Sequence, residues 1–81
     1  MDAGNILRLY KLGAIGNHDV YPMIINSIDQ SNVIVILSAL PVDLRSDFFS
    51  WINWLAEDRS RCGSFICEDN IDIIIKNMHA F

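Results

Sequence analysis

Cys62, Cys67 and His79 come nearest to a reactive or metal-binding set in this chain. They form C-x4-C-x11-H, with the acids Glu68 and Asp69 alongside. A structural zinc site wants four ligands, usually as two closely spaced pairs, and the second pair is missing. A Cys–His nucleophile could draw on His18 or His79, the only histidines, but no local signature accompanies either. The common redox motif spaces its thiols by two residues, not four. A local disulfide is sterically conceivable and nothing demands it. The reading is a tight, exposed loop with two reduced thiols and no metal.

Carboxylates are the next candidates. They cluster as Asp43 and Asp47, Glu57 and Asp58, and Glu68, Asp69 and Asp72. Asp43 and Asp47 share one helix face at i, i+4. Acid–base catalysis would need one member of a pair desolvated and shifted in pKa. These acids fall at expected helix ends or on polar faces, where solvated capping explains them. No enzyme activity and no cofactor are expected.

The aromatic residues say more. Phe48, Phe49, Trp51 and Trp54 lie within seven residues. Trp51 falls on the apolar stripe of a helix, whereas Trp54 lies about 300° further round, at three steps of 100°. Trp54 then groups with Phe49 or with Asp47, Asn53 and Asp58, depending on the width of the buried face. It is either a lid on the core or an interface anchor, a role in which Trp is enriched. The expected partner-binding residues are Asp43, Asp47, Phe49, Trp54, Glu57 and Asp58. Phe81, after the apolar positions between Ile71 and Met78, adds a second face in need of cover.

Five short segments must position these groups, with breaks at Gly13/Gly16, at residues 29–32, at Pro41 and at residues 60–64. In 5–12, Ile6, Leu9 and Tyr10 follow helical spacing, with Gly13 as a stop. In the second segment, Asp19 is expected as N-cap, with Pro22 in the first turn. Val20, Ile24 and Ile28 would line one side, beside Tyr21 and Ile25. The run "VIVIL" is β-branched and strand-like by propensity. However, Val33, Ile36, Leu37 and Leu40 keep helical spacing, Asp29 or Ser31 offers a cap, and a strand would lack pairing partners.

Residues 42–57 carry the clearest helix: Leu44, Phe48, Trp51, Ile52 and Leu55 make the stripe, and Pro41 suits a first helical position. Asp43 and Asp47 lie early and Arg59 and Arg61 just past the far end, as the helix dipole favours. In 69–79, Ile71, Ile74, Ile75 and Met78 repeat the pattern with Asp69 as cap. The expectation is a single all-α domain spanning 1–81, a four- to five-helix bundle. The runner-up is a small α+β fold with strands near 33–38 and 64–75.

Bulk properties narrow the function classes. Hydrophobic residues make up 52% of the 81 and the net charge is −4, from ten acids against six bases. That hydrophobicity argues against disorder. It is also more than a small domain readily hides, which hints at a partner or at self-association. The bases are scattered, so a phosphate backbone is a poor ligand and a basic protein a natural one. The longest nearly apolar run, 33–42, is half the roughly 20 residues a membrane span needs. An acid at position 2, with bases inside the apolar stretch, is the wrong order for a signal peptide. Neither nucleic acid nor membrane is expected as a partner, and the location expected is cytoplasmic. The functional expectation is a non-catalytic acidic protein-binding module, most concretely an immunity- or antitoxin-type inhibitor of a basic, nucleic-acid-handling protein. The alternative is a structural or adaptor subunit of a homodimer or larger assembly.

Overall fold

The computed structural model describes the backbone of residues 3–81 and the side chains of all of these except 3, 17 and 18. The acid at position 2 and the His18 side chain lie outside the described residues. Helix α1 spans Ala3–Lys11, α2 Asn17–Ser27, α3 Val33–Ala39, α4 Val42–Glu57 and α5 Glu68–Met78; a 3-10 turn, Arg59–Cys62, joins the last two. No strand occurs among the described residues. The fold is a small all-helical bundle, and none of these helices is long and apolar enough to cross a membrane.

Gly13 ends α1 with a φ of 78°. The Ala14 amide returns to the Leu9 carbonyl and the Gly13 amide to that of Tyr10. This pair of bonds closes a Schellman motif, which needs the left-handed conformation glycine reaches without strain. Helix α2 opens two residues before the expected cap. Gly16 stands at the N-cap, and Asp19 serves in the first turn, where the helix dipole still favours its charge. Pro22 consequently lies inside the helix, in its second turn, and has no N–H for the carbonyl four residues back. Burial of Val20, Tyr21, Ile24, Ile25 and Ile28 offsets that missing bond.

The strand-like run is helix α3. Its four spaced residues, Val33, Ile36, Leu37 and Leu40, are all buried, so the helical stripe overrides β propensity. Ahead of it, Asp29 Oδ1 accepts from the Ser31 amide and hydroxyl and from the Asn32 amide. Asn32 Oδ1 accepts in turn from the Asp29 amide, at 2.7 Å. This reciprocal exchange has the pattern of a capping box but closes the turn ahead of α3; the helix itself has Asn32 at its N-cap with no side-chain cap bond, not Asp29 or Ser31 as expected.

Helix α4 spans the expected 42–57 and begins directly after Pro41, whose extended ψ makes it the N-cap and not the first helical residue; its carbonyl accepts from the Arg45 amide at 2.8 Å. Leu44, Phe48, Ile52 and Leu55 are buried, and Trp51 is half-buried. Residues 64–67 form a turn, not a strand, and α5 follows with Cys67 at the N-cap. Asp69 is thus the second residue of the helix and not its cap. Ile71 and Ile74 are buried while Ile75 is partly exposed and Ile73 half-covered. Contact with α2, α3 and α4 decides which isoleucines are covered, and periodicity sees none of those neighbours.

The core runs through all five helices, with Phe48 fully buried near Tyr21 (ring centroids 5.6 Å) and Phe49 (6.3 Å). Asn70 Nδ2 donates to the Ile25 carbonyl at 2.8 Å, tying α5 to α2.

Among the described residues, three carboxylates lie below their ordinary value of 3.8. Ser31 holds Asp29 down through its hydroxyl and amide, Ser60 does the same to Asp58, and the Arg59 guanidinium holds Asp72. A lowered folded-state pKa contributes stability that is present above the unfolded value and lost as pH falls through the folded one. Thermal midpoints should therefore hold from pH 7 to 5 and fall below about pH 4. In an Asp29→Asn, Asp58→Asn, Asp72→Asn variant the acid limb should be shallower. An unchanged acid limb in that variant would remove these three groups as its cause.

Candidate functional site

The thiols are unlike one another. Cys62, expected in an exposed loop, is buried in the core, and Cys67 is exposed. The 3-10 turn folds Cys62 inward beneath the end of α4. Burial, with Glu68 acting the same way, pushes its thiol up, away from the thiolate that reacts. His79 is exposed at the C-cap of α5. Among the described residues, no three His, Cys, Asp or Glu side chains are grouped to hold a metal ion.

The outer flank of α4 gathers most of the expected contact residues. At 3.6 residues per turn, Asp43, Asp47, Trp54 and Glu57 fall within an arc of about 80°. All four are exposed, Trp54 at 47%. Asp43 and Asp47 make no ion pair among the described residues. Asp47 faces Tyr21 closely enough to add to the effect of burial in raising that phenol.

Trp54 is fixed from one side. The Arg61 guanidinium lies over its ring, 4.5 Å from the centroid. Arg61 also donates to the Trp54 carbonyl at 2.7 Å and meets Glu57 at 3.5 Å. Asp58 starts the 3-10 turn, accepting from the Ser60 amide and hydroxyl. Glu57 and Asp58 thus hold the turn that aims Arg61 at Trp54, as well as carrying charge. Such exposed pairs contribute little stability; their effect is to orient the ring.

Phe49 does not join this group. Five residues separate it from Trp54, which is about 140° around the helix. It packs instead between Phe48 and Phe81, whose ring centroid is 6.0 Å away. Arg45 covers Phe81 at 4.8 Å and donates to the Leu37 carbonyl. Val42, Ser46 and Met78 complete a shallow depression of about 230 Å³ there. The two aromatics expected on one edge therefore flank opposite sides of α4.

Sequence reasoning missed Phe65. It is 81% exposed, the most exposed of the large apolar side chains among the described residues. Its loop is held from both sides: Asn26 Nδ2 donates to the Phe65 carbonyl at 2.8 Å, and Asn26 Oδ1 accepts from the Cys67 amide at 3.1 Å. Between them Ile66 packs against the core. The available signal is a lone aromatic beside a Gly-Ser turn, in a stretch that the runner-up fold makes a strand.

No protein-family model, curated protein or solved structure matches the chain.

Proposed function

We propose that the chain is a non-catalytic, acidic protein-binding module whose α4 flank meets a basic protein. The observation that carries this reading is Trp54, pinned by Arg61, with Glu57 about one turn along and Asp47 and Asp43 further up the same exposed flank of α4. An indole held in place loses little rotamer freedom on binding, and an acidic surround steers a basic partner and speeds encounter. In its most concrete form the module is an inhibitor of the immunity or antitoxin kind, with its carboxylates standing in for the phosphates of a nucleic-acid-handling protein's substrate. That form carries with it a cytoplasmic location.

The test is affinity capture of the tagged protein from its native lysate at low and high salt, with the bound protein identified and its affinity then measured. A stoichiometric basic partner released by salt is expected. Trp54→Ala and Asp47→Lys should each weaken it, Trp54→Ala by about tenfold or more, as for an interface anchor. A second reading, a subunit of a homo-oligomer or larger assembly, draws on exposed Leu12, Val35 and Val42. A salt-insensitive homodimer forming without any other protein would put that reading in place of the first.

A further inference from the structure

We infer that the partner's main foothold is the end of the molecule where α4, the 3-10 turn and the 63–67 loop meet, with Phe65 as the anchoring side chain. The occupant is a basic protein surface with an apolar pocket. This rests on the reading that the chain binds a basic protein, and it moves the centre of contact away from Asp43 and Asp47.

Three observations converge there. The first is the pair of presented aromatics. Arg61 stacks on Trp54, and Phe65 is four residues beyond Arg61, within about 14 Å of it even for a fully extended chain. Phe65 is the more exposed of the two, and both are held from behind, Trp54 by Arg61 and the Phe65 backbone by Asn26. A monomer gains no folding stability from leaving a phenyl ring in water, yet a clamped loop that presents one meets a pocket with little further ordering.

The second is charge. Residues 57–72 hold five acids against two arginines, a net −3 out of the chain's −4. The third is how that charge is distributed. Arg59 and Arg61 are engaged by Asp72 and Glu57, which leaves Asp58, Glu68 and Asp69 as exposed acids outside any ion pair among the described residues, each within four residues of Trp54 or Phe65 along the chain. Apolar anchors inside a charged rim are the usual anatomy of a protein interface, and the sign of this rim selects a basic partner.

The experiment uses the full chain and a defined probe, a synthetic amphipathic peptide of alternating lysine and leucine blocks, with binding followed by calorimetry. Phe65→Ser should weaken binding by about tenfold, Phe65→Leu by less, and Asp43→Asn with Asp47→Asn measurably but by less than Phe65→Ser, as for charges that steer the encounter more than they anchor it. Phe65→Ser keeps the backbone carbonyl that Asn26 holds, so its thermal midpoint should match that of the parent protein. If it does not, Phe65→Leu carries the comparison. Loss of binding in the Asp43/Asp47 variant with none at Phe65 would overturn the foothold and leave the basic-partner reading standing. A glutamate–leucine peptide binding as well as the lysine peptide, or no binding of the lysine peptide at all, would overturn both.

Discussion

Phe48→Ala is expected to cost about 3–5 kcal/mol of folding stability, the usual range for truncating a buried phenylalanine. Phe48 is fully buried in the middle of α4, with Tyr21 and Phe49 against its ring. Truncation loses the transfer energy of the ring and leaves a cavity that five short helices cannot readily close. A domain this size has roughly 4–12 kcal/mol in all, so the variant should lose a quarter of it or more. Thermal and urea unfolding by circular dichroism would measure this, with Phe49→Ala at the rim as comparison and a smaller loss there. A cost below about 1 kcal/mol at Phe48 would mean the core is not centred on α4.

The second large effect is expected at Gly63. Its φ of 60° and ψ of −153° lie in a region open to essentially no residue but glycine, at a cost of about 1–3 kcal/mol for any other. An added Cβ would meet nothing within 4 Å, so the penalty for Gly63→Ala belongs wholly to the backbone. The strain should spread to the loop Asn26 holds, loosening the Cys67 amide. Hydrogen exchange at that amide should accelerate in step with a lower thermal midpoint. A D-alanine at the same position, introduced by chemical synthesis, adopts positive φ without strain and should restore both. Equal damage from the two enantiomers would show that space, not handedness, is limiting.

Much of the architecture could be read from spacing. Helix α4 ends where its stripe and flanking signals place it, and "VIVIL" folds as a helix because its four spaced residues all find cover. Helix starts were harder to place. Asp19 and Asp69 both look like caps, yet each sits inside its helix, because the preceding residues adopt helical geometry without a side-chain cap. The candidate surface divides in the same manner. The arc of Asp43, Asp47, Trp54 and Glu57 follows from helical arithmetic. The burial of Cys62, the docking of Phe49 on Phe81 and the presentation of Phe65 do not. Each depends on an irregular turn or on a contact reaching across the chain, and local pattern carries neither.

The hydrogen bonds from α2 to the far end of the chain bear on how the protein is made. Asn26 reaches residues 39 and 41 positions away, and Asn70 reaches Ile25 across 45. Closing a loop of that length costs about 3 kcal/mol of chain entropy, so these contacts form after the local helices they join. On the ribosome, the side of α2 that α5 will cover emerges tens of residues before its cover does. At roughly 5–20 residues per second, the nascent chain carries that apolar side open for seconds, and its solubility over that interval depends on the charges already synthesised.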